Sequence, residues 1–111
     1  MSNQLISDAE VERALDFLRD NAVPAAQAKA ERVFCEEYRK TLKAMLMQQH
    51  SKESIGAQER EAYAAPQYVD HLGKLKAAVF EEERLRALRS AAEMKIEAWR
   101  TMNANYRSMK L

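Results

Sequence analysis

The sequence predicts an all-α protein: an antiparallel helical hairpin or small bundle with one long C-terminal helix and a short N-terminal one. Three observations lead there. Two Gly and two Pro in 111 residues leave too little turn chemistry for a sheet. Strong helix formers (Ala, Glu, Lys, Arg, Leu, Met, Gln) dominate throughout. Apolar residues recur at helical spacing along most of the chain. The length fits a single domain, residues 1–111.

The first helix is expected over about 8–20. Ser7-Asp-Ala-Glu10 reads as a capping box, in which Ser7 accepts from the backbone of Glu10 and the Glu10 side chain reaches back. Val11, Ala14, Leu15 and Leu18 follow at helical steps, with Phe17 alongside. Asn21 and the Val23-Pro24 step close this helix, because proline disfavours a helical residue before it.

Pro24 suits the first position of a second helix, expected to run to about 50. Its face is traced by Ala26, Ala30, Val33/Phe34, Tyr38, Leu42, Met45/Leu46 and Gln49, while Glu36 and Lys40 are spaced to pair on the other side. Residues 51–56 interrupt the pattern, and Ser54 is placed to cap a short helix over about 57–64.

Ala65-Pro66 opens the last helix, expected over about 67–108 and about 66 Å long if it continues to Lys110. Its stripe reads Tyr68, Leu72, Leu75, Val79, Leu85, Leu88, Ala92, Ile96, Trp99, Met102, Asn103 and Tyr106. The spacing slips from a strict heptad between Val79 and Leu88, which favours bundle-like packing over a regular two-stranded coiled coil. Gly73 interrupts an otherwise strong helix former at a cost of about 1 kcal/mol against Ala, and can let a neighbouring helix come close. The second and last helices are expected to pack antiparallel. Nothing longer than the second covers the last, so its C-terminal turns are expected to expose an apolar strip, the mark of an interface.

Composition excludes several classes. No run of about 18 apolar residues exists, so no membrane span is expected. The first eight residues lack the basic start and apolar core of a signal peptide. Cys35 is the lone cysteine, which suits a reducing cytoplasm, and Phe34 and Tyr38 beside it suggest a buried thiol. The net charge of +1 names no partner. Its distribution is uneven, because residues 84–111 carry seven Lys and Arg against Glu93 and Glu97.

No catalytic set, cofactor site or metal site is expected. His50 and His71 lack further ligands at tight spacing and read as solvated or helix-end residues. Cys35 has no flanking loop to support a nucleophile, and two isolated glycines cannot build a phosphate loop. Glu59-Arg-Glu61 and Glu81-Glu-Glu83 read as solvated faces, with Glu82–Arg86 and Arg89–Glu93 as ordinary pairs.

The candidate interface is the C-terminal helix end: Trp99, Arg100, Met102, Asn103, Tyr106, Arg107 and Met109. Trp99/Tyr106 and Arg100/Arg107 repeat at seven residues, setting an aromatic row beside a basic row. Such surfaces serve single-stranded nucleic acid through stacking and phosphate contact. The small basic excess makes packing of Trp99 and Tyr106 in a bundle or dimer seam the preferred reading.

From Gly56 onward the residues Gly56-Ala-Gln-Glu-Arg-Glu-Ala62, Tyr68, Leu72, Leu75, Glu83-Arg-Leu-Arg86 and Ile96-Glu-Ala-Trp-Arg-Thr-Met-Asn-Ala-Asn-Tyr-Arg107 together resemble a family of small, mostly uncharacterised bacteriophage and prophage proteins. The resemblance is most specific at Glu97–Thr101 and Asn103–Arg107 and does not reach residues 1–23. It implies a setting near phage replication and recombination functions or the modulation of host factors, and carries over no catalytic residue. The expected function is therefore a non-enzymatic phage accessory protein in the bacterial cytoplasm, acting through helix-mediated contacts with itself, a phage protein or a host protein. A nucleic-acid-binding accessory factor is the alternative.

Overall fold

A computed structural model of the chain describes residues 6–109. Among them there are four α-helices and no strand: α1 (Asp8–Asp20), α2 (Ala22–Gln48), α3 (Ile55–Ala64) and α4 (Pro66–Met109). The protein is all-α, with a short first helix and a last helix of 44 residues. Lys110, to which the last helix was expected to reach, lies outside the described residues, as does most of the N-terminal stretch read for a signal peptide.

Local chemistry explains the boundaries. Ser7 Oγ accepts from Glu10 N at 3.1 Å, one half of the expected capping box. The joint between α1 and α2 is a single residue. Asn21 N donates to Phe17 O and Ala25 N to Asn21 O, so i→i−4 bonding reaches the joint from both sides. Pro24, which has no N–H to give, falls inside the first turn of α2 and is its third residue rather than its first. Ser54 Oγ accepts from Ala57 N at 3.2 Å and caps α3, which begins at Ile55 and includes Gly56. Ala65, extended at ψ 138°, separates α3 from α4, as the residue before Pro66 should.

The chain divides into two compact units. One comprises the chain up to Ala25 with the chain from Glu83 on; the other is Ala26–Glu82. In the first, α1 is joined to the later part of α4, and Val11, Ala14, Leu85 and Ala92 are buried. This corrects the expectation that the C-terminal turns of the last helix go uncovered for want of a helix longer than the second: α1 covers part of them, and Trp99 Nε1 donates to Asp8 Oδ1 at 2.9 Å.

In the Ala26–Glu82 unit, α2 and the first part of α4 run antiparallel. Arg32, early in α2, meets Glu82, and Leu42 and Leu46, late in α2, cluster with Ala62 of α3 and Tyr68 at the start of α4. Tyr38, Met47 and Ala65 pack around that cluster.

The buried and half-buried positions of α4 step by three and four without a slip from Tyr68 through His71, Leu75, Ala78, Glu82 and Leu85, skip an exposed Arg89, and resume at Ala92, Ile96, Trp99 and Asn103. This is a heptad seam. The slip read from the sequence came from counting Leu72, Val79 and Leu88 into the stripe, and all three are exposed. α2 follows the same steps at Ala25, Ala28, Arg32, Cys35, Leu42 and Leu46, with half-buried Tyr38 beside exposed Arg39 at the missing step. Phe34, Val33 and Met45, expected on its inner face, point outward.

Two polar groups occupy the seam, against expectation. His71 is buried; its ring Nε2 lies 2.6 Å from the carbonyl oxygen of Cys35, to which it donates, and its ring meets Tyr38 edge-on at 5.2 Å. Glu82 is also buried and is held by the Arg32 guanidinium through Nε to Oε2 and Nη2 to Oε1, rather than forming the solvated face expected of it. Arg32 Nη1 also donates to Glu36 at 3.0 Å. The expected Glu36–Lys40 pair is therefore replaced by Arg32–Glu36 and Lys40–Glu37. Among the described residues no buried side-chain nitrogen or oxygen lacks a partner, so the polar seam positions do not carry the cost of an unsatisfied group.

Candidate functional site

The seven residues of the expected interface sit on the last three turns of α4. Five of them, Trp99, Arg100, Asn103, Tyr106 and Arg107, line one open hollow of about 600 Å³ together with Glu97, Thr101 and Ala104. Met102 and Met109 lie outside it. A seven-residue repeat on one helix accounts for the grouping, since residues three, four and seven apart share a face.

The seven residues are not equally available. Trp99 is half-buried, and its indole N–H is committed to Asp8 at the start of α1. Arg100 donates to the Glu97 carboxylate at 2.9 Å, one turn back. Met102 and Asn103 are half-buried. Tyr106 and Met109 are the exposed large hydrophobic side chains of this end, at 66% and 83%. The sequence reading missed Asp8 and Glu97, because their part here depends on α1 meeting α4 and on which way Arg100 folds back. The Glu97 carboxylate on Arg100 and the Asp8 carboxylate on Trp99 reduce the local positive potential that a phosphate backbone would meet.

A second basic-aromatic grouping in the Ala26–Glu82 unit was not legible from spacing. Arg39, Lys40, Lys43, Tyr63 and Tyr68 line a hollow of about 360 Å³. The Lys43 ammonium lies 4.7 Å from the centre of the Tyr63 ring and 3.7 Å from Glu59. Hydrogen bonding to Tyr63 raises its pKa most; burial opposes, and the Glu59 charge adds to the rise. Tyr63 meets Tyr68 edge-on at 5.2 Å. Three helices contribute, which no linear pattern discloses.

Cys35 is buried and carries a raised pKa, first because burial disfavours the thiolate and then because its thiol faces the Glu31 carboxylate at 3.5 Å. A thiol held in its neutral form is a poor nucleophile. His71, the nearest imidazole in the unit, is directed at the Cys35 carbonyl and not at its sulfur. His50 pairs with Glu53 at 3.0 Å in the turn after α2. Among the described residues no group of three or more His, Cys, Asp or Glu is placed to hold a metal ion. No helix among them is long and apolar enough to cross a membrane.

Compared with known proteins, the chain matches no family model, no curated protein and no solved structure.

Proposed function

We propose that the protein is a non-enzymatic accessory factor that works through helix-mediated contacts with another protein, and that the C-terminal turns of α4 are the contact surface. The observation that carries this reading is the exposure of Tyr106 and Met109 beyond the point where Trp99 is tied to α1. A flexible methionine and an amphipathic tyrosine on a helix end suit insertion into a partner's groove. Trp99, Arg100, Met102, Asn103 and Arg107 form the surrounding ground of that surface. The resemblance of the C-terminal half to small phage and prophage proteins gives the setting: the bacterial cytoplasm, a phage or host protein as partner, and a role in phage DNA replication or recombination or in redirecting a host factor.

The alternative is a nucleic-acid-binding factor. Its support is the pairing of Tyr106 with Arg100 and Arg107 around one hollow, a stacking and phosphate-contacting set. Against it stands the commitment of Trp99 to Asp8 and of Arg100 to Glu97.

One experiment separates the two. The tagged protein is used to capture partners from infected and uninfected host cells, with and without nuclease, beside a Tyr106→Ser/Met109→Ser variant. A nuclease-resistant protein partner lost with that variant supports the protein-contact reading. Capture that disappears with nuclease, with salt-sensitive single-strand binding lost in Arg100→Ala/Arg107→Ala, transfers support to the alternative. Retention of every partner by the Tyr106→Ser/Met109→Ser variant overturns the proposed surface.

A further inference from the structure

The outer face of α4 in the Ala26–Glu82 unit has a pattern that is its own complement. Gly73 stands at its middle. Asp70 and Lys76 lie three residues to either side, Val69 and Ala77 four residues to either side, and Phe80 two turns beyond. Residues at these steps share one helix face. That face is turned away from the seam of Tyr68, His71, Leu75 and Ala78, and all six residues are exposed, Val69 at 55% and Phe80 at 68%.

A Cβ placed on Gly73 would meet nothing within 4 Å. The close approach its lack of a side chain permits is therefore not used within the chain. Among the described residues, neither the Asp70 nor the Lys76 side chain has a hydrogen-bond or ion-pair partner in the chain. The unit's own core is thin: its buried cluster is Leu42, Leu46, Ala62 and Tyr68. No large side chain among the described residues is fully buried. A helical layer this thin gains most by burying its outer apolar row against another helix.

Two copies of α4 crossing antiparallel at Gly73 match the charged pair and the apolar pair that flank it, with Phe80 falling against Pro66 of the other copy at the edge. A two-fold axis there sets Asp70 of each copy against Lys76 of the other, and Val69 against Ala77, while the absent glycine side chains let the backbones approach. A parallel crossing would oppose Asp70 to Asp70 and Lys76 to Lys76. We propose that this face is a homodimer interface, in which two copies of the chain cross antiparallel at Gly73 with reciprocal Asp70–Lys76 pairs. The surface is separate from the C-terminal turns, so the proposal stands or falls independently of the partner reading above.

Sedimentation equilibrium of the full-length protein at low salt tests it, with helicity followed by circular dichroism to confirm folding of these surface variants. Wild type is expected to dimerise. Asp70→Lys and Lys76→Asp alone are each expected to weaken the dimer by about tenfold or more, through like charges brought opposite. An equimolar mixture of the two single variants, and the double variant Asp70→Lys/Lys76→Asp, are expected to regain affinity near that of wild type, because each restores opposite charges across the axis. Tyr106→Ser/Met109→Ser is expected to dimerise as wild type does. A wild type that stays monomeric through micromolar concentrations, single variants that dimerise unchanged, or a mixture no tighter than its components would overturn the proposal.

Discussion

Glu82 shows how a single side chain can look like one thing in a sequence and act as another in a fold. Within Glu81-Glu-Glu83 it reads as part of a solvated acidic face, yet it lies on the buried three-and-four ladder of α4 and faces Arg32, 50 residues away in sequence. Removing the carboxylate leaves the guanidinium facing an apolar gap with only the more exposed Glu36 as partner. Glu82→Ala is therefore expected to lower unfolding free energy by about 2 kcal/mol, and Glu82→Gln by less, since an amide oxygen can still accept. Urea denaturation with an unchanged slope measures both, and a Glu82→Ala change within about 0.5 kcal/mol of wild type would show the pair to be incidental. His71 was misread for the same reason. Its polarity is visible in the sequence, but its acceptor, the Cys35 carbonyl, is supplied by another helix. Polar seam residues become interpretable only with their partners.

At the scale of the element, the readable parts were those encoded by near neighbours. Ser7, Ser54 and Pro66 mark helix starts locally. The first and last helices begin within a residue of the expected positions, and α3 begins two residues earlier, at Ile55 directly after its Ser54 cap. Ser54→Ala is expected to cost about 1 kcal/mol, because Ala57 N loses its acceptor. Ser51→Ala, in the same turn and exposed, is expected to change stability by less than about 0.5 kcal/mol. Thermal unfolding of the pair gives the comparison, and equal effects would mean that the cap contributes nothing. The α1–α2 joint was harder to read. Pro24 suits a helix start, whereas α1 closes at Asn21 and α2 already begins at Ala22. Asn21 N bonds back to Phe17 O and Ala25 N to Asn21 O, so Pro24, which has no N–H to give, falls inside the first turn of α2. The stripe of α4 misled more seriously, because it merges two apolar rows, one facing the seam and one facing outward at Val69, Leu72, Val79 and Phe80. Periodicity reports that a helix is apolar on some side; it does not say how many layers will cover it.

For the whole molecule, the outward apolar row is the largest feature left unexplained by the chain's own packing, and it makes stability a question of concentration. If the Gly73-centred face joins two copies, unfolding is coupled to dissociation, and the midpoint rises with protein concentration. A hundredfold increase is expected to raise Tm by roughly several degrees for a chain of this size. A midpoint that stays flat over that range would place all the stability within one chain. The candidate C-terminal surface was legible because its residues are neighbours on one helix. Asp8 was not, because it comes from the opposite end of the chain to meet Trp99.

The paired helices of the Ala26–Glu82 unit have a second property, rooted in their seam. That seam holds few large buried side chains: Ala28, Leu42, Leu46 and Ala78 are buried and Leu75 is half-buried. Arg32–Glu82 is an ion pair that ties the two helices together across it. A shift of one helix along the other would part Arg32 from the buried Glu82 carboxylate, which is costly because a buried charge needs its partner. The Arg32–Glu82 pair thus favours the observed alignment of the two helices. A chain with so little core to distinguish right from nearly right keeps its place by charge and hydrogen bonding rather than by shape.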